Sequence, residues 1–182
     1  MTVDEFLVWS EDQPGRYELI DGLPVRMQAE RVRHLVIKLS VARALGDAVK
    51  SAKLACRALP DGATIRIDKE ISYQPDAVVT CSGSIDFDSI EVTDPMIVVE
   101  VLSPSNSTVD RAGKLAGYAK VSSIRHYLIV DPVRRSVIHH KFGDTDVIET
   151  RILHSGELQL DPPGLAVPVL AFFEDLPAAG KS

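Results

Sequence analysis

A chain of 182 residues, 45% hydrophobic and 25% charged, has the length for one domain with a real core and the composition of an ordinary globular protein. Its net charge of −6 argues against a protein that coats nucleic acid through bulk positive charge, though a carboxylate cluster built to hold metal would itself add negative charge. No apolar run approaches the roughly 20 residues of a membrane span, the N-terminus lacks a signal-peptide pattern, and Cys56 and Cys81 form no Cys-x-x-Cys motif. A reduced, cytoplasmic protein without a disulfide scaffold or zinc ribbon is therefore expected.

Thr2-Val3-Asp4-Glu5 has the form of a capping box and opens a short helix to about Ser10, stopped by Gln13-Pro14-Gly15. Tyr17–Ile20 and Leu23–Gln28 read as a hairpin around Asp21-Gly22. From Arg31 to about Lys50, Val32, Leu35, Val36, Leu39, Ala42, Leu45 and Val49 mark a helix with one buried face. Leu54–Leu59 and Ala63–Asp68 read as strands around the turn Pro60-Asp61-Gly62, and Pro75 leads into a strand at Asp76–Thr80. After an acidic loop over Ser82–Asp94, Met96–Leu102 reads as a central strand buried on both faces.

Ser103-Pro104-Ser105-Asn106 forms a turn, and Ser107 or Thr108 can cap a helix lasting to about Val121. His126–Val130, Ser136–Lys141, Val147–Leu153 and Glu157–Leu160 read as strands, and a brief helix follows Val169. Residues 176–182 read as a frayed tail. The whole chain, 1–182, is expected to form one α/β domain whose principal sheet is flanked by the two longer helices.

Glu100 stands inside the apolar run Met96–Leu102, where a lone carboxylate costs several kcal/mol to bury. It must be paired, protonated or bound to a cation. A structural ion pair is one explanation and a functional cleft is the other. Asp76 alone is ordinary turn chemistry, but two carboxylates on neighbouring strands can converge on one hard cation such as Mg²⁺. Lys114 shares a helical face with Asp110 and Tyr118. It can form an exposed pair with Asp110 or reach over the strand end to the acids. Glu18 by pattern faces solvent on the hairpin. His34 reads as a partly buried helix residue, and His139 and His140 point to opposite faces of their strand.

These residues, in order, resemble a known family. Tyr17-Glu18-Leu19-Ile20-Asp21-Gly22, a helix containing His34, Gln74-Pro75-Asp76, and Val98-Val99-Glu100-Val101-Leu102-Ser103-Pro104-Ser105 are followed by Asp110-Arg111, Lys114-Leu115, Tyr118-Ala119 and Tyr127-Leu128-Ile129-Val130-Asp131-Pro132. The set is similar to the Uma-type family of restriction endonucleases, a branch of the PD-(D/E)XK nuclease superfamily, over nearly the whole chain. The resemblance implies a restriction-endonuclease-like fold: a mixed central sheet flanked by helices, with extra antiparallel strands.

It also implies that Asp76 and Glu100 are metal-binding acids and that Glu18 joins them. The Val101 carbonyl would be a further ligand. Leu102 occupies the place of the motif's lysine, and the resemblance implies that Lys114 from the following helix serves instead. Gln74 and Tyr118 match positions lining the site. The implied activity is Mg²⁺- or Mn²⁺-dependent endonucleolytic cleavage of nucleic acid, DNA first, with Asp76, Glu100, Lys114 and Glu18 as catalytic residues and a homodimer as the cutting unit. A catalytically silent domain that binds nucleic acid or a protein partner is the alternative.

Overall fold

A computed structural model describes residues 1–177 apart from 84, 104–107 and 146, and residues 108–110 as backbone. The expected Ser103–Asn106 turn, the Ser107 cap and most of the frayed tail lie outside the described residues. Helix α1 (Val3–Glu11) is held by the capping box: Thr2 Oγ1 accepts from the Glu5 amide, and the Glu5 carboxylate accepts from the Thr2 amide. Val3 and Phe6 pack on Leu19 of β1 (Tyr17–Ile20). Strand β1 turns into β2 (Leu23–Arg26) through Asp21 and Gly22, both at positive φ, as a two-residue hairpin requires.

Helix α2 (Val32–Ser51) corrects the expected apolar stripe. Val32, Leu35 and Leu39 are 75%, 50% and 64% exposed, and the buried face carries Ile37, Val41, Leu45 and Val49. Two polar residues, His34 and Lys38, continue that buried face toward the helix start. Spacing at i, i+4 admits either stripe, and the sheet selects the one whose side chains fit it.

Next come β3 (Arg57–Pro60), β4 (Ile65–Arg66) and β5 (Ser72–Tyr73). The expected long strand Ala63–Asp68 shortens to the two residues of β4, which leaves the β3 sheet and joins a small sheet of order β2-β1-β5-β4. Strand β6 (Ala77–Thr80), β7 (Pro95–Val101), helix α3 (Thr108–Lys120), β8 (His126–Asp131), β9 (Ser136–Phe142) and β10 (Ile148–Leu153) complete the central sheet, of order β10-β9-β8-β7-β6-β3. Among the described strands of this sheet, only the β7–β8 pair, joined through α3, is parallel. The sheet is therefore mixed, as expected. A second hairpin, β11 (Glu157–Leu160) with β12 (Leu165–Pro168), and a 3-10 turn at Val169–Phe173 close the fold.

Alternation along β7 separates two cores. Ile97, Val99 and Val101 pack with Ile37, Val41, Leu45 and Val49 of α2, and with the β11–β12 hairpin. Val98 packs instead with Tyr73, Tyr118, Tyr127 and Ile129. Each helix thus covers one face of the sheet, and β7 is the strand both of them address.

The cysteines depart from expectation. Cys56 and Cys81 are joined in a disulfide just beyond the Arg57–Thr80 rung of the β3–β6 ladder. They lack a spacing motif because antiparallel pairing, rather than local sequence, brings them together.

Candidate metal and active site

Strand register builds the site. Ala77 pairs with Val99, so continuing the antiparallel ladder by one rung sets Asp76 against Glu100 at the strand end. The Asp76 amide donates to the Val99 carbonyl at 2.9 Å, and the Val101 amide donates to Asp76 Oδ2 at 2.6 Å. The Asp76 side chain is therefore fixed to the strand that carries Glu100. Pro75 favours the extended backbone that precedes this entry.

Glu100 meets α3. Lys114 Nζ lies 2.9 Å and the Tyr118 hydroxyl 2.8 Å from Glu100 Oε1, two donors one helical turn apart converging on one oxygen. Lys114 Nζ also lies 3.0 Å from Glu18 Oε1, which in turn accepts from the Gln74 amide at 2.9 Å. The ammonium sits 5.5 Å from the centre of the Tyr73 ring as well. Glu18 thus faces inward, opposite to its pattern-based reading. The Asp110 side chain lies outside the described residues.

Burial pushes the Glu100 carboxyl up to about 7; Lys114 opposes this, while the nearby Asp76 and Glu18 charges add to it. Burial also opposes charge on Lys114, yet Glu100 and Glu18 outweigh it and raise its pKa. Burial and the Glu100 charge hold the Tyr118 phenol in its neutral, donating form.

Asp76 meets α2 from the other side. Lys38 Nζ is 3.0 Å from Asp76 Oδ1, 2.7 Å from Asp61 Oδ2 and 2.7 Å from Glu30 Oε1. His34 Nε2 stands 3.5 Å from Asp76 Oδ2 and 3.8 Å from Glu30 Oε2. Arg16 pairs with Asp61 and donates through Nε to Gln74 Oε1 at 3.0 Å. Burial works against the Asp76 charge, but His34, Lys38 and the Val101 amide outweigh it and hold the carboxyl below its ordinary range. Lys38 responds the same way: burial lowers its pKa, and its three carboxylate partners raise it overall.

Among the described residues, Glu30, His34 and Asp76 form a group that could hold a metal ion, with one donor atom from each lying within 4.8 Å of the others. Donors roughly 2.0–2.2 Å from a common ion stand about 3–4 Å apart, so the His34 spacings fit. Of the expected ligand set of Asp76, Glu100, Glu18 and Val101, each acid faces a lysine. Asp76 belongs to the α2 cluster, and Glu100 and Glu18 are tied by Lys114. The Val101 amide is engaged by Asp76.

Lys38, Glu30, Asp61 and Arg16 were not legible as site residues. Asp61 reads as a turn former in Pro60-Asp61-Gly62, and the misplaced stripe on α2 turns Lys38 outward. One signal was present: His34 and Lys38 are four apart and share a face with Val41 and Leu45. Three other histidines, His126, His139 and His140, are held in packing and hydrogen-bond contacts away from these acids. His126 Nε2 bonds the Pro162 carbonyl at 2.8 Å and its Nδ1 meets His139 Nε2 at 2.9 Å, while His140 stacks on Tyr127. His139 and His140 do point to opposite faces.

Comparison with known proteins follows the same outline. Residues 3–171 match the Uma2 family, described as "Putative restriction endonuclease". The uncharacterized protein slr1290 of Synechocystis is 30% identical over 186 aligned positions, covering 97% of this chain and 93% of that protein. A second uncharacterized Synechocystis protein, sll1609, is 23% identical, covering 84% of this chain and 88% of that protein. A crystal structure from Anabaena variabilis, described as a putative nuclease belonging to DUF820, superposes with a TM-score of 0.73 at 19% identity. It covers 96% of this chain and 98% of that one. With its mixed sheet, its flanking helices and a family match that spans both acids and both lysines, this chain belongs to the Uma2 family.

Proposed function

We propose that this protein is a metal-dependent endonuclease that hydrolyses phosphodiester bonds in DNA. The observation that carries the reading is the rung that sets Asp76 against Glu100 at the strand end, with Lys114 Nζ 2.9 Å from Glu100. Asp76 and Glu100 would hold Mg²⁺ or Mn²⁺, with Glu18 and the Val101 carbonyl as further oxygen donors and with His34 and Glu30 on the Asp76 side. Bound there, the ion would acidify a water molecule and polarise the phosphate.

The protein's own groups do the rest. Lys114 orients Glu100 and Glu18 and offers an ammonium to the negative charge that grows on the phosphate. The Tyr118 hydroxyl holds Glu100 Oε1 in place. Gln74, fixed by Arg16, keeps Glu18 turned inward through its amide. Two copies acting together would cut both strands, an assembly proposed by analogy with other nucleases. No helix among the described residues is long and apolar enough to cross a membrane.

A second reading, a catalytically silent domain that binds nucleic acid or a protein, draws on one specific observation: Asp76 and Glu100 each already face a lysine. Labelled DNA and RNA substrates incubated with Mg²⁺ or Mn²⁺ test the two. The nuclease reading expects metal-dependent cleavage of DNA by the wild type and none by Asp76→Ala. Equal products from both proteins, or none under any condition, would remove it.

A further inference from the structure

Three carboxylates converge on one ammonium. Lys38 has three N–H donors, and Glu30, Asp61 and Asp76 lie 2.7, 2.7 and 3.0 Å from Nζ. Its side chain is 6% exposed, so the contact is shielded from water and from salt. A seat of three acids around a single positive centre is also what a hard divalent ion takes, with oxygens at roughly 2.0–2.6 Å. Two of the acids, Glu30 and Asp61, retain some exposure at the rim. The imidazole of His34, 3.5 Å from Asp76 Oδ2, offers a donor that suits a metal. Among the described residues its buried Nδ1 has no hydrogen-bond partner, so none of them pins the ring through that atom.

Occupancy by both cations is disfavoured. An ammonium and a divalent ion a few ångströms apart, inside a shielded pocket, repel each other strongly. Lys38 has a flexible four-carbon stem anchored on α2, so it can withdraw without unfolding the helix.

We propose that Lys38 is a built-in competitor for the metal: its ammonium holds Glu30, Asp61 and Asp76 together in the metal-free protein and leaves when a divalent cation takes Asp76. This rests on the metal-dependent reading above. The acids are kept assembled without their ion, and the ion's apparent affinity is set by the lysine it must displace. Lys38 is a positioning residue in this scheme, acting through Asp76.

Calorimetric titration of the full chain with Mn²⁺, in the wild type, Lys38→Met and Asp76→Asn, separates the possibilities. The proposal expects Lys38→Met to bind Mn²⁺ tighter by about tenfold or more, with binding lost in Asp76→Asn. Wild-type binding that depends on Asp76 but is unchanged or weakened in Lys38→Met would overturn the competitor and leave the metal reading standing. Absence of Mn²⁺ binding in every protein would overturn both. A second measurement needs no destabilised variant. The ¹⁵Nζ resonance of Lys38 in the wild type, assigned through Lys38→Arg, is expected to shift and lose protection from water exchange on saturation with Mg²⁺. A resonance that stays in place at saturation contradicts the proposal.

Discussion

Glu100 and Lys114 are 14 residues apart in sequence and 2.9 Å apart in space, joined across the gap between β7 and α3. Both are buried, so removing one leaves the other's charge uncompensated. Lys114→Met is expected to cost about 3–5 kcal/mol, read from urea unfolding. The loss also depends on pH. Burial raises the Glu100 pKa in the folded state to about 7, above its ordinary value of 4.5, so folding favours the protonated form and stability falls as pH rises between those values. Without Lys114 the folded pKa climbs further, and the gap between variant and wild type should widen as pH rises above about 7. A gap that is constant from pH 6 to 9 would contradict the assignment.

Gly117 sets how closely α3 approaches the small sheet. A Cβ there would stand 2.7 Å from Tyr73 Cε2 and 2.9 Å from its hydroxyl. Gly117→Ala gains about 0.5–1 kcal/mol of helix propensity but forces a buried ring to move, a cost of about 1–3 kcal/mol. The expected outcome is a net loss of about 1 kcal/mol. The loss should disappear in a Tyr73→Leu background, where the ring is absent. A simple rise in melting temperature on Gly117→Ala would show that the helix can back away.

The His126–His139 pair gives the protein an acid limit. Because the Pro162 carbonyl can only accept, His126 Nε2 carries its proton there, and its bare Nδ1 accepts from His139 Nε2. Burial pushes both rings down to about 4. The unfolded chain therefore binds more protons between pH 6.5 and 4, and the stability these rings confer is complete above 6.5 and is lost as pH falls toward 4. Urea midpoints measured at pH 7 and 4.5 should differ less in His139→Gln than in the wild type. Identical differences would show that other groups set the acid limit.

The disulfide closes a sequence separation of 25 residues. Chain-entropy arguments give it about 3.5 kcal/mol. The double variant Cys56→Ser, Cys81→Ser should lose about that much, and the native wild type should show no thiol reactive to Ellman's reagent. Two reactive thiols, with no change in stability on replacement, would contradict the linkage.

The fold was legible where local chemistry decides it. The Thr2–Glu5 capping box, the Asp21-Gly22 hairpin and the apolar run of β7 each carry their own signal, and a sheet between two helices follows from their order, while its mixed pairing was legible only through the family resemblance. Glu100 was legible because a carboxylate in a buried strand demands a partner. Glu18 and Lys114 were legible only through the family resemblance, since an acid on a hairpin and a lysine on a helix are ordinary in isolation. The Asp76 side of the site was largely hidden. Leu35 and Leu39 are apolar yet exposed, and they drew the stripe on α2 away from His34 and Lys38. Glu30, Asp61 and Arg16 reach the site from loops, where no periodicity marks an inward side chain. The cysteine pairing depends on β3–β6 register, a property of the folded ladder.

Glu100→Gln is the most direct test of the central claim, because the exchange keeps the shape of the side chain and removes the charge. DNA cleavage in Mg²⁺ or Mn²⁺ should be measured beside the wild type, with near-ultraviolet circular dichroism as the check on folding. The account predicts a native spectrum with the cleavage rate down by about 100-fold or more. A native spectrum with undiminished, metal-dependent cleavage would contradict it.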